Sequence, residues 1–186
     1  MSYRYLLIPA LLLLAACQSI ELSRDYDRSR DFASYRTWSW KQPPLLYAPD
    51  DPRLKSDLTE LRIREAVDQQ LEQRGLRPAP AGSQGDLQVQ AALIVEQQQS
   101  QYTTSYGNHW AGYWGGYWGG PVVTEVRNVS YKVATLQIDL YDSRDGKLVW
   151  RGSGEQIMRS APPSPQEREA AIRETVGKVL SQYPPH

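Results

Sequence analysis

The stretch Leu136-Gln137-Ile138-Asp139-Leu140-Tyr141-Asp142-Ser143-Arg144-Asp145-Gly146-Lys147-Leu148-Val149-Trp150 decides the fold class. Leu136, Ile138 and Leu140 alternate with Gln137 and Asp139, the period-two pattern of a strand with one dry and one wet face. Asp142 to Gly146 is a run of turn formers, with the glycine placed to supply a positive φ. Leu148-Val149-Trp150 reads as the returning strand. A hairpin of this kind exposes one apolar face, which another element of the chain has to cover.

Further strands lie upstream. Val122 to Val133 reads as an additional strand leading into the hairpin. Leu87, Val89, Ala91, Leu93 and Val95 alternate against Gln88, Gln90 and Glu96, with Gln97-Gln98-Gln99 as a solvated extension. Tyr35-Arg36-Thr37-Trp38-Ser39-Trp40 is a strand of β-formers with aromatics on alternate positions, and Ile20 to Tyr26 suits an edge strand. Pro43, Pro44, Pro49 and Pro52 mark a surface connection, and Pro78 to Gly85 a linker loop.

Two helices supply the cover. Asp51-Pro52 predicts an N-cap with proline at the first helical position. Leu54, Leu58, Leu61, Ile63, Val67 and Leu71 would form a broad apolar face, with Gly75 as the stop. Ser164 and Glu167 predict a capping box around Pro165. Ile172, Val176, Val179, Leu180 and Tyr183 follow on one face, and Pro184-Pro185 ends the helix. The fold expected is α+β: an antiparallel sheet of about five strands with two amphipathic helices packed on one face, in the order β-β-α-β-β-β-α.

The N-terminus carries an address. Arg4 precedes an apolar run from Leu6 to Ala16, too short to span a bilayer, and Leu14-Ala15-Ala16-Cys17 closes it with the only cysteine of the chain. This tetrapeptide resembles the bacterial lipobox. The resemblance implies a lipoprotein signal peptide over residues 1–16 and an N-acyl, S-diacylglycerol lipid on Cys17. It also implies an anchored domain over 17–186. Gln18, rather than aspartate, looks like the default outer-membrane sorting signal. Removing Arg4 with the leader takes the 21 basic residues to 20 against 21 acidic, a net charge of −1. That balance gives no footprint for nucleic acid.

Between Tyr102 and Gly120, thirteen of nineteen residues are Gly, Tyr or Trp, and Gly112-Tyr113-Trp114-Gly115 repeats at once as Gly116-Tyr117-Trp118-Gly119. Glycine this dense opposes a regular strand or helix, yet several tryptophans are a large apolar load to leave in water. Tyr106, Trp110, Tyr113, Trp114, Tyr117 and Trp118 are the candidate contact residues, suited to glycan stacking, a membrane interface or a protein hot spot. The alternative is a low-complexity insertion that extends a hairpin.

The sequence offers little catalytic chemistry. His109 and His186 have no partner at ligand spacing, so no metal or other cofactor is expected beyond the lipid. The chain has no Gly-x-Ser-x-Gly elbow and no phosphate loop. Acidic residues cluster at Asp25, Asp27 and Asp31 and again at Asp142 and Asp145. Paired carboxylates can hydrolyse glycosides or bind calcium; aspartate equally suits turns, and turn duty is the reading favoured here.

With the elements placed, the chain resembles the proteobacterial lipoprotein family DUF4136, a domain of unknown function. Asp25-Tyr26-Asp27, Asp31-Phe32 and Tyr35 to Trp40 carry the likeness, with Ile63-Arg64, Ala66-Val67 and Gly85-Asp86-Leu87. Its strongest part is Leu136, Asp139-Leu140, Asp142 and Gly146-Lys147-Leu148-Val149-Trp150-Arg151-Gly152, and Val179-Leu180 with Tyr183-Pro184-Pro185 closes it. The resemblance implies a periplasm-facing lipoprotein and supplies no catalytic residue. The expected function is therefore a non-enzymatic outer-membrane lipoprotein that binds or scaffolds envelope components, a protein or peptidoglycan. The alternatives are a glycan- or lipid-binding module using the aromatic loop and, third, a hydrolase using the aspartates.

Overall fold

The computed structural model describes residues 20–52, 54–106 and 123–185. Among these residues the chain forms six strands and two α-helices: β1 (Glu21–Tyr26), β2 (Thr37–Ala48), α1 (Asp57–Gln73), β3 (Arg77–Pro78), β4 (Leu87–Tyr106), β5 (Val123–Asp142), β6 (Leu148–Ile157) and α2 (Pro165–Leu180). The sheet order is β1-β6-β5-β4-β2-β3. β1 is indeed an edge strand, and the hairpin of β5 and β6 forms as read, with Gly146 at φ 69°.

The α+β class and the helices on one face hold, but the sheet is mixed. β2 runs parallel to both β3 and β4, whereas β1, β4, β5 and β6 pair antiparallel. The cause is the connection: α1 lies between β2 and β4, and a strand returning after a helical crossover pairs parallel. β2 also continues through Pro43-Pro44, where the proline spacing alone points to a surface connection. The prolines sit at a register shift between Trp40 and Leu45, beyond the short stretch where β3 pairs with β2. A missing N–H is tolerated at a bulge on an open edge. Val123 to Asp142 is one continuous strand, and the sixth strand, beyond the five expected, is the two-residue β3 at the start of the segment expected to be a linker loop.

α1 begins later than Asp51. Leu54 and Lys55 donate backbone N–H bonds to the Asp51 carbonyl, closing a turn that goes no further. Ser56 is the true N-cap: its hydroxyl accepts from the Thr59 N–H, and Asp57 and Glu60 occupy the positive first turn. The apolar face is correspondingly narrow. Ile63, Ala66, Val67 and Leu71 are buried, while Leu58 and Leu61 stand 61% and 52% exposed. Gly75 follows the helix with φ 87°, as expected of a stop. α2 forms as read, with the reciprocal Ser164–Glu167 box and buried Val176, Val179, Leu180 and, past its end, Tyr183.

The core lies between the helices and one sheet face. Leu87, Val89, Ile138, Leu140 and Trp150 meet Ile63, Val67, Val176 and Val179 there. Arg74 ties the C-terminal ends of the helices together, donating to the Leu180 carbonyl at 2.6 Å and to the Gln70 carbonyl at 2.8 Å. The Trp150 ring explains Gly152: any Cβ there would run into that ring and Val179. The other sheet face is polar, and on it Asp139 accepts from Arg151 directly across the β5–β6 ladder at 2.6 and 2.7 Å.

Candidate functional site

The two ends of the sheet differ in kind. At one end β4 starts beside the end of β5, with Leu87 opposite Asp142. The Asp142 side chain is wholly covered, and its carboxylate accepts from Arg30 at 3.0 Å, from the Tyr35 hydroxyl at 2.9 Å, and from the Arg144 backbone N–H and guanidinium. Arg30 also reaches Asp145 at 2.6 Å and Asp27 at 3.1 Å. Nearby, Asp86 accepts from the Arg36 and Thr37 backbone N–H groups and the Thr37 hydroxyl, while its carbonyl accepts from Ser143 N–H. The start of β2, both turns and the start of β4 are thereby fastened to one another.

The electrostatics follow from these bonds. Arg144 hydrogen bonds hold the Asp142 carboxyl far below the ordinary carboxylate range. Asp27 lies at about 2, chiefly through the Ser29 hydroxyl and backbone N–H, then Arg30. Arg30 lowers Asp145, and the guanidinium of Arg30 is itself raised by Asp145 and Asp27. Burial, then the Asp142 hydrogen bond, pushes the Tyr35 hydroxyl up.

Of the aspartates singled out in the sequence, the fold thus brings Asp27, Asp142 and Asp145 around one arginine and leaves the others apart. Asp25 accepts from the Tyr26 N–H, and Asp31 caps the 3-10 turn Phe32–Ser34 through the Ala33 N–H. Each clustered carboxylate also serves its own turn: Asp27 for Ser29, Asp142 for Arg144, Asp145 for Lys147. A general acid needs a raised pKa, and these carboxylates are driven the other way. Among the described residues no group of three His, Cys, Asp or Glu side chains is disposed to hold a metal ion.

At the opposite end β4 and β5 leave the body together. β2 pairs with β4 only as far as Ile94, and β6 with β5 only as far as Val133. Beyond Glu96 the two strands pair with each other alone, up to Tyr106 opposite Val123. Ten residues of strand reach roughly 33 Å, so this is a long arm. Its side chains are largely in water: Gln97, Gln99, Gln101, Arg127, Asn128 and Ser130 are exposed, and so are Val126 and Val129. The glutamine extension read in the sequence is real and is part of this arm. Tyr106 is described through its backbone only. Cys17, Trp110, Tyr113, Trp114, Tyr117 and Trp118 lie outside the described residues.

A groove of about 510 Å³ opens between the sheet and the N-terminal halves of both helices, lined by Ile63, Leu93, Leu136, Ile157, Met158 and Ile172 among others. Sequence periodicity shows that these residues are apolar but cannot show that they fail to close on one another.

A mixed sheet covered on one face by two helices, with a charge-stapled end and a projecting two-stranded arm, defines a small α+β sandwich without a recognisable catalytic centre among the described residues. Residues 22–185 match the family described as a domain of unknown function, DUF4136, and the chain belongs to that family. A crystal structure of a DUF4136 family protein from Bacteroides thetaiotaomicron is similar, at 18% identity, over 89% of this chain and 96% of that one, with a TM-score of 0.50. A PDZ domain protein from Parabacteroides distasonis is similar at 14% identity over 90% of this chain, with a TM-score of 0.56; the chain spans only 36% of that protein's length. A dodecameric PelC from Paraburkholderia phytofirmans matches at 13% identity over 88% of this chain and 96% of that one, with a TM-score of 0.45. No curated protein matches the sequence. Likeness at these identities is a likeness of fold.

Proposed function

We propose that this chain is a periplasm-facing outer-membrane lipoprotein that binds or scaffolds envelope components and catalyses no reaction. In this reading residues 1–16 are the signal peptide, Cys17 carries the lipid, and 17–186 form one periplasmic domain with the Gly/Tyr/Trp-rich insertion at about 102–120. The observation that carries it is the arm. The carboxylates at the stapled end are taken up by guanidinium, hydroxyl and backbone N–H groups, whereas the arm extends the sheet into solvent and leads directly into the aromatic segment. Crosslinking in vivo from positions 106–118 tests the reading. Capture of a discrete envelope protein supports it, and unchanged binding to envelope fractions after deletion of 107–120, with the domain still folded, overturns it. Palmitate labelling lost in Cys17→Ser tests the anchor separately.

A second reading, contact of the aromatic segment with a lipid or glycan surface, is favoured by sidedness. Glu21 shares a row of the sheet with Glu155, Thr135 and Ile94, and upstream of that row the chain heads the same way as the arm. The three steps from Ile20 to Cys17 span at most about 10 Å, whereas the arm runs on from that row for about 40 Å. A membrane at Cys17 would lie within the arm's reach. Tryptophan fluorescence that shifts with phospholipid vesicles or peptidoglycan, without a crosslinked protein, would select this reading.

A further inference from the structure

We infer that the groove between the helix N-termini and the sheet holds one acyl chain of the lipid carried on Cys17. The inference rests on the lipoprotein reading above and adds where part of the lipid goes. Four observations converge.

First, the groove has the size of a small-molecule site and a largely apolar floor, with Arg159, Glu167, Arg168 and Glu174 among its lining residues. At about 510 Å³ it falls within the range of small-molecule sites. Leu93, Leu136 and Ile172 form its floor and wall, and Ile157 and Met158 stand exposed at 55% and 42% on its β6 side. Second, several of its polar groups are already engaged: the Thr175 hydroxyl donates to the Ala171 carbonyl at 2.8 Å, Glu167 is committed to the capping box and Glu174 pairs with Lys178.

Third, the tethered end of the chain arrives at this groove. Ile20 packs on the helix-facing side of the sheet, against the position where Gly154 has no side chain, next to Thr175 and Val179. Gly154 and Thr175 themselves line the groove. Fourth, the reach is right. Three backbone steps lead from Ile20 back to Cys17, at most about 10 Å of chain, so a lipid on Cys17 is confined to the neighbourhood of the groove mouth. Covalent confinement raises the effective concentration of an acyl chain there far above that of free lipid. A lipoprotein cysteine with several chains can sheathe one and keep the others in the bilayer. The tether would then be held at the groove instead of swinging free.

The test uses the full chain, expressed with a photoreactive diazirine palmitate that the cell incorporates into lipoprotein lipid. After irradiation the Cys17 peptide and its crosslinks are mapped by mass spectrometry. The expected result is label on Cys17 with intrachain crosslinks to the 154–159 and 168–175 peptides. Those crosslinks should be lost in Ala171→Trp, which fills the groove, while label on Cys17 and the thermal midpoint are retained. Label on Cys17 with crosslinks to phospholipid alone overturns the inference and leaves the lipoprotein reading standing. Absence of label from Cys17 overturns both. If Ala171→Trp fails to fold, Leu93→Trp fills the groove from the sheet side and is read the same way.

Discussion

The stapled end and the arm are built from the same two strands, yet they solve opposite problems. Where Leu87 faces Asp142, every nearby carboxylate is engaged by a turn amide or a guanidinium, and Trp150 is wholly buried beneath α2. Where Tyr106 faces Val123, the ladder continues with no third strand or helix behind it among the described residues. Two-stranded ribbons are marginal by themselves, so the arm depends on the body and the body owes the arm nothing. Several residues that carry the family likeness, among them Tyr35, Asp86 and Asp142, gather at the stapled end, and others such as Ile63, Val67 and Val179 form the core. Their chemistry accounts for folding, and recognition is therefore better sought at the other end.

The contrast can be broken or sharpened by substitution. The largest effect is expected for Trp150→Ala, which empties the centre of the core and should cost about 3–5 kcal/mol; urea unfolding followed by circular dichroism measures it, and a loss below 1 kcal/mol would dissolve the contrast. Asp142→Asn should cost about 2–3 kcal/mol, the worth of hydrogen bonds to charged groups at a covered site. Its pH signature is distinctive. Asp142 and Asp27 are depressed in the folded state, so their stabilisation is complete above the ordinary value of about 3.9 and is lost as pH falls through it towards the folded values. Acid unfolding between about pH 4 and 2 should accordingly be shallower in Asp142→Asn than in the parent.

Ser164→Ala removes a cap from α2 without touching either end of the ladder and should cost about 1 kcal/mol by the same urea measurement. On the arm, Val129→Thr should change stability by less than about 0.5 kcal/mol. A larger loss would mean that the arm is packed against something, and would move it from the category of display to that of core.

Much of this was legible because it is local. Ser164, Pro165 and Glu167 lie within one helical turn, and Asp142 to Gly146 within one hairpin turn, so spacing alone specifies them. The first helix shows where locality stops. Asp51-Pro52 and Ser56 are both credible starts, and the second prevails with help from the Tyr47 hydroxyl, which lies 3.4 Å from both the Ser56 N–H and its carbonyl. Tyr47 belongs to β2, a strand hidden behind its prolines. Arg30 was invisible as the hub of the charge cluster because its partners Asp142 and Asp145 are 112 and 115 positions away. The parallel pairing of β2 with β4 was implicit in strand-helix-strand order, but an alternating pattern in β4 favours antiparallel neighbours, which it also has.

The pairing of β1 with β6, from Glu21 opposite Glu155 to Tyr26 opposite Trp150, has a bearing on how the protein is made. It joins the first strand of the sheet to the last, and contacts so far apart in sequence form late because loop-closure entropy opposes them. During synthesis from the N-terminus, β1 is made first and then waits, without a ladder, for residues 150–155. Until they arrive the β6 edge of the growing sheet does not exist, and a chain stopped short of Trp150 leaves its leading strand permanently unpaired. Quality control of this protein is thus written into its topology: a truncated product presents an open strand beside its N-terminus, where proteases and chaperones can meet it.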